Sequence, residues 1–568
     1  MRKFKLKSLA RLAVSASAVA MAFPVAAEEP VTFERLSNQE PANWLTVYGN
    51  YAGWRYSELD EINRDNVADL RVAIAVPIAM RAGLGGANYA VPLVDDGFLY
   101  TNDSNNAVVK IDLKSGRGDY LWTTALAASD IAAGRVQGNA LWQNAIIANT
   151  RDAHIVSIDR ETGEVNWDQL VGVPGESTNA APVALENIII VSQSAGDAGT
   201  RGWAAGLDAS TGDELWRFYI VPGPGEPGHE TWPQDNDAWM TGGGGLWVAP
   251  TYDVATNIVL WGTGNPAPSF DPEFRAGDNL YTNSSVALDA STGELVWYFQ
   301  YLPGDYLDHD AIGINQLYDI EIDGAVRQVL GHINRTGYFY TMDRQTGEFI
   351  LATPVQTNID WTSGIDPKTG LPVEYNPDVG LQDYGNPVRR DAGPVDNCGG
   401  QFVTGTWQPA YDPNRQVVYT TYVDTSCWMD VVPAFDATRS AEERWANVGL
   451  GGQFTLYEEN FRVGAIDVVT SSIQSAELPA FTQSGVLATA GNVIFFGDSY
   501  GTFSAHDSDT LDQLWSINVG SSMRSPPIAF EMDGKQYIAI QSGGSGGFAG
   551  VSVVGAPPNS AMLWVFSL

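Results

Sequence analysis

Asp308 and Asp310 stand two residues apart in Pro303-Gly304-Asp305-Tyr306-Leu307-Asp308-His309-Asp310. In an extended segment, side chains two apart share a face. Two carboxylates that close repel unless a cation lies between them. Oxygen donors of this kind suit a hard cation such as calcium rather than zinc. A carboxylate kept ionised by a nearby cation can accept a proton from a reacting group. His309 titrates near neutral pH, but as the intervening residue it faces the opposite way. The chain has two cysteines, Cys398 and Cys427, and five histidines. That excludes a Cys-rich zinc or iron–sulfur site. There is no Cys-x-x-Cys-His for covalent haem, and no credible Ser-His-Asp set.

The elements that must position these residues follow from a recurring pattern, apolar-Asp-x-x-Thr/Ser-Gly, often with Trp a few residues on. It runs through Ile111-Asp112 with Ser115-Gly116 and Trp122, and Ile158-Asp159 with Thr162-Gly163 and Trp167. Further copies are Leu207-Asp208 with Thr211-Gly212 and Trp216, and Leu288-Asp289 with Thr292-Gly293 and Trp297. Met342-Asp343 with Thr346-Gly347 lacks the Trp, and weaker copies sit at Ile466-Asp467 and His506-Asp507 with Trp515. Each copy reads as a hairpin: Asp caps the turn and Gly takes the positive φ. The flanks, such as 187–192 and 416–422, read as strands, and the Trp is large enough to fill the gap between neighbouring sheets. A spacing of about 40–55 residues is that of a propeller blade. Blades bury their faces only by stacking in a ring. The expectation is an all-β, eight-bladed β-propeller with tryptophan-docking repeats. Helical patterning is confined to a short stretch near 441–447. The Gly- and Pro-rich stretches 222–227 and 357–397 read as long loops on one rim, where function usually sits.

Arg2, Lys3, Lys5, Lys7 and Arg11 precede an apolar run from Leu12 to Ala22, then Pro24, Val25, Ala26 and Ala27. This is a secretory leader with a cut expected after Ala27; the run is too short to span a bilayer. Residues 28–568 are then one exported, periplasmic propeller domain with no membrane span. The chain carries a formal charge of −36. Such a surface excludes nucleic acid as a partner and would steer a cationic protein towards it.

Two longer motifs carry a resemblance. The first is Asn43-Trp44 through Gly53, Arg55-Tyr56-Ser57, Leu59, Ile62-Asn63 and Leu70. The second is Trp247, Tyr252-Asp253 and Trp261-Gly262-Thr263-Gly264-Asn265-Pro266-Ala267-Pro268. Together with 225–233, 485–491 and the repeated Trp, they make nearly all of the mature chain resemble the PQQ-dependent (quinoprotein) alcohol dehydrogenases, soluble type without a haem domain. The resemblance implies pyrroloquinoline quinone in the central funnel, with Trp247 as its floor, Arg335 at the quinone oxygens, and Arg135 and Thr150 at its carboxylates. It implies a metal ion held by Asp197, Asn265, Asp308 and Asp310. Asp197 stands where relatives usually have Glu, which shortens that ligand by one methylene. Asp308 matches the catalytic base, and Asp310 looks like the mark of lanthanide-dependent members, so a lanthanide is expected ahead of calcium.

The chain also departs from its relatives. It has no adjacent Cys-Cys pair; Tyr89 stands where many have Glu, Thr406 where they have Asn, and Phe548 where they have Trp. The resemblance, with these departures, implies oxidation of an alcohol bulkier than methanol and electron delivery to an external acceptor such as a cytochrome c. Cys398 and Cys427 are compatible with a structural disulfide, as the exported compartment favours. A second reading is a cofactor-free propeller scaffold for envelope protein assembly. The acidic set Asp197, Asn265, Asp308 and Asp310 discriminates the two, since a scaffold has no need of it.

Overall fold

The computed structural model describes residues 28–79, 89–103, 105–126, 136–173, 175–322, 324–390, 408–430, 453–543 and 560–568. The expected leader, the stretch 441–447, Cys398, and Arg135, Thr406 and Phe548 lie outside the described residues, as does the side chain of Cys427. Eight antiparallel sheets follow one another along the chain, seven of four strands and one of five. The fourth, for example, is Thr251–Asp253, Ile258–Gly262, Ser284–Asp289 and Leu295–Gln300; the fifth is Asn315–Ile322, Ala325–Ile333, Tyr338–Asp343 and Phe349–Pro354. Burial falls from strand to strand within a sheet. Ala145–Asn149 is buried throughout, whereas the outermost strand of the same sheet, Val165–Leu170, is largely solvated. Inner strands therefore read as continuous apolar runs, and outer ones show period-two alternation.

The eighth sheet is shared between the two ends of the chain. Arg71–Pro77 pairs antiparallel with Met562–Ser567, from Arg71 opposite Ser567 to Pro77 opposite Met562. This pairing covers strands that would otherwise be exposed edges at the two ends of the chain, and it closes the ring. The first signature motif braces the ring. Tyr56–Ser57 joins Leu487–Thr489 as a parallel fifth strand. Arg55, fully buried, donates to the carbonyls of Val47, Val486 and Pro527 and to Gln408 Oε1. Tyr48, Tyr51 and Trp54 donate to the carbonyls of Ala249, Ala184 and Leu317.

The repeated turn and Trp act as one unit across neighbouring blades. Asp289 Oδ1 accepts from the Ser291 and Thr292 N–H groups, both at 2.9 Å. Gly293 then takes φ 72°, and a Cβ there would meet the Trp216 ring of the preceding blade at 2.4 Å. Trp216 Nε1 donates to Ala290 O at 3.0 Å. The same docking links Trp122 to Gly163, Trp167 to Gly212 and Trp297 to Gly347. In two blades that follow an outer strand without Trp, the turn residue is not Gly. It is Ser471 after Phe349–Pro354 and Leu511 after Ile473–Glu477, both at positive φ. Leu511 is buried and fills the space itself. Gly293→Ala is expected to destabilise the protein by about 3 kcal/mol, from a left-handed backbone with a Cβ and an overpacked indole. Ser471→Gly, with no ring to displace, is expected to be close to neutral. Chemical denaturation of the two variants checks this; equal losses would sink the docking account.

Candidate functional site

Loops between the second and third strands of a blade, and those joining one blade to the next, emerge on the same rim of an up-and-down ring. The described candidate residues all sit on such loops. Thr150, Asp197, Asn265 and Arg335 lie between second and third strands of successive blades. Trp247 and Asp308–Asp310 lie on the links into the fourth and fifth blades.

Five of these residues, Trp247, Asn265, Asp308, Asp310 and Arg335, are brought together. Asp310, 5% exposed, accepts the Asn265 N–H on Oδ1 at 2.8 Å and Arg335 Nη1 on Oδ2 at 2.6 Å. Arg335 Nη1 also reaches Asp308 O at 3.4 Å. The Arg335 guanidinium stands 5.4 Å from the centroid of the half-buried Trp247 ring, within cation–π range. Asp308 Oδ1 is enclosed with no hydrogen-bond partner. Asp197 sits in the short turn Gly196–Ala198, and its charge weighs on Asp308. The Thr150 hydroxyl donates to Asp152 Oδ1 at 2.5 Å and accepts the His154 N–H at 3.0 Å, so it is turned into its own loop.

The segment 305–310 is not extended. Asp308 has φ 60°, so the two carboxylates come together by a loop turn, not by the strand alternation that the spacing suggested. Asp305 builds that turn, accepting the Leu307 N–H at 2.7 Å, the His309 N–H at 3.0 Å and Asn283 Nδ2 at 3.1 Å. His309 is buried, and its ring packs edge-on against Trp361, 5.6 Å between centroids.

Among the described residues, three aspartates stand with one arginine here, and burial, Asp310 and Asp197 push the Asp308 carboxyl well above the usual range. Burial raises Asp310 too, against the pull of Arg335 and the Asn265 N–H. Asn265 Nδ2 is spent on Ser269 Oγ at 2.6 Å and Pro266 O at 3.1 Å, which turns Oδ1 the other way. A Cβ on Gly264 would stand 2.8 Å from Gly245 O and 3.1 Å from Asp310 Oδ1, so the glycines keep this space open. An orphaned buried carboxylate oxygen, a second carboxylate and an oriented amide fit a hard cation. Among the described residues, no three His, Cys, Asp or Glu side chains converge as a ready-made cage. The shorter Asp197 does not close the set by itself.

A pH dependence follows. Asp305, held at about 6 by burial, joins Asp308 and Asp310 in having a folded-state pKa above its unfolded value. Such groups stabilise the fold below the ordinary carboxylate range, and that stability is lost as pH rises through their folded pKa values. In the presence of chelator, the melting temperature is therefore expected to fall between about pH 4 and 7 from this cause. Added calcium or lanthanum should raise it more at pH 7 than at pH 4.5. Thermal melts at both pH values test this, and a metal effect independent of pH would contradict it.

Sequence reasoning missed several residues that support the site: Asp305, Asn283, Ser269 and Arg275, and the loop residues Trp361 and Tyr384. Each acts through backbone or packing contacts that no linear motif displays. It also missed Arg524, which donates to the Tyr89 hydroxyl and lies 5.4 Å from that ring. Tyr89 and Arg524 are both buried.

Together these features define a β-propeller with an anionic, oxygen-rich site on one rim. Residues 44–358 match the family model for the β-propeller domain of PQQ-dependent glucose/ethanol/alcohol dehydrogenases. The quinoprotein alcohol dehydrogenase PedH of Pseudomonas putida is 30% identical over 98% of this chain and 96% of its own. The quinohemoprotein alcohol dehydrogenase ADH-IIG of the same species is 30% identical over 90% of this chain and 74% of its own. A solved europium-containing methanol dehydrogenase superposes with a TM-score of 0.83 at 26% identity, covering 94% of this chain and 100% of that one. The chain belongs to the PQQ-dependent alcohol dehydrogenases. It is an oxidoreductase on an eight-bladed propeller, and the scaffold reading falls. Among the described residues, no helix is long and apolar enough to cross a membrane.

Proposed function

We propose that this chain is an exported dehydrogenase that oxidises alcohols bulkier than methanol to an aldehyde or ketone. In this reading Asp308 is the catalytic base. Asp197, Asn265, Asp308 and Asp310 hold a hard metal ion, a lanthanide ahead of calcium. Trp247, Arg335, Arg135, Thr150 and Phe548 surround the cofactor. The observation that carries the reading is the enclosed, unpartnered Asp308 oxygen next to the buried Asp310, beside an arginine poised over a tryptophan face.

When bound, PQQ supplies a two-electron acceptor and the metal a Lewis acid. The rest is the work of this chain's residues. Asp308 takes the proton from the alcohol oxygen as hydride leaves the carbon that bears it for the two-electron acceptor. Its ionised form is what the reaction needs, and a cation among the aspartates would restore that form against burial. Arg335 offers N–H donors on the same side as the Trp247 face. Thr150, with its hydroxyl engaged by Asp152, would have to turn to reach a cofactor carboxylate. The departures at Tyr89, Thr406 and Phe548, with no Cys-Cys pair, support a reshaped mouth. Electrons would pass to an external carrier such as a cytochrome c, which the acidic surface would steer in if it were basic. The leader ending at Ala27 supports a periplasmic location. A disulfide between Cys398 and Cys427 would be expected there.

The test is oxidation of small and bulky alcohols by purified apoprotein with PQQ, an artificial electron acceptor, and calcium or lanthanum. Activity that needs PQQ and is higher with lanthanum and bulky alcohols supports every part of the reading. Equal use of calcium discards the lanthanide, a preference for methanol discards the substrate class, and no PQQ dependence discards the whole.

A further inference from the structure

Arg275 is fully buried and lies on none of the motifs that carry the resemblance. Among the described residues it forms no direct ion pair. Its guanidinium instead spans two loops. Nε donates to Pro268 O at 2.9 Å, and Nη2 donates to Ser269 O at 2.8 Å. Nη2 also donates to Asp305 O at 2.5 Å, and Nη1 donates to Asn279 Oδ1 at 2.8 Å. Each loop then carries part of the candidate metal set, Asn265 on one and Asp308 with Asp310 on the other. Ser269 Oγ accepts from the Asn265 amide at 2.6 Å. The Asp305 carboxylate holds the Leu307 and His309 N–H groups, on either side of Asp308.

Burying a cation without a paired carboxylate is costly. A neutral core residue would fill the space at less expense, but would not join four oxygens from two loops. A planar fork of five N–H donors does this; an ammonium, with three donors on a flexible stem, does not. The Asn265 loop and the Asp305–Asp310 loop share no strand, so their spacing rests on such cross-links. We propose that Arg275 is a positioning residue that sets the Asn265 amide oxygen at ligand distance from Asp308 and Asp310. This rests on the metal reading given above.

The experiment uses the full chain and terbium(III), read by tryptophan-sensitised luminescence, together with thermal melts. Outer partners of metal ligands are worth about ten- to a hundredfold in affinity. Arg275→Lys is expected to weaken terbium binding by about that factor. The emission lifetimes in H2O and D2O should report an additional coordinated water where Asn265 withdraws. Arg390→Lys, at a more exposed tie to Asp271 in the same loop, should leave both readouts unchanged. A folded Arg275→Lys with the wild-type affinity and hydration overturns the proposal while leaving the metal reading intact. A wild type that binds no terbium overturns both. Should Arg275→Lys fail to fold, Ser269→Ala decides: it severs the last link to Asn265, and unchanged terbium affinity there overturns the proposal.

Discussion

Asp308→Asn lowers kcat by about a hundred- to ten-thousand-fold, the usual worth of a positioned general base. An amide keeps the shape of the side chain and tolerates the left-handed backbone at this position, so the loop is preserved. It cannot take the hydroxyl proton. The same change removes one of two buried carboxylates that repel. The metal-free variant should therefore melt no lower than the wild type at pH 7, and higher if the repulsion dominates. Loss of turnover without loss of stability separates a catalytic group from a structural one. Steady-state rates with saturating PQQ and metal, alongside thermal melts, make the measurement. Turnover within tenfold of the wild type would remove Asp308 from the role of base.

Asp310→Ala has two effects, and the first is unequal for the two metals. Asp310 gives one oxygen to Arg335 and the other to the Asn265 N–H, so a cation must share it with the arginine. A trivalent ion competes for that oxygen better than a divalent one. Truncation should lower lanthanum affinity by at least about a hundredfold, the upper range for tuning a metal site. Calcium affinity should change far less. Truncation also removes the carboxylate that pairs with the buried Arg335, a loss of about 3–5 kcal/mol, offset in part by relief of Asp308. Calorimetric titration with each ion, on protein shown by melting to be folded, gives the comparison. Equal losses for both ions would mean that Asp310 has no part in choosing the metal.

The ring was legible from the chain because its determinants are local. Asp159, Asp208, Asp289 and Asp343 cap their own turns, and the Gly and Trp that follow are fixed by the blade before or after. The residues of the candidate site were legible as types at given spacings. Their geometry was not. The expectation that Asp308 and Asp310 share a face assumed an extended chain. The real cause is a turn organised by Asp305, whose partners Asn283 and Arg275 lie 22 and 30 residues away. The engagement of Asp310 by Arg335 was likewise invisible, since it joins the link into the fifth blade to a separate loop within that blade. Short-range turn chemistry can be read from a linear sequence; a buried polar network held by long-range loops cannot.

The seam between Arg71–Pro77 and Met562–Ser567 has a consequence for synthesis. Met562–Ser567 emerges from the ribosome after every other described strand, and it locks one of the earliest. Without it Arg71–Pro77 and Lys535–Ser542 would be left as exposed edges. Damage to this one strand is therefore not graded: its loss converts a sealed ring into a sticky open crescent, so closure reports that synthesis has passed this point.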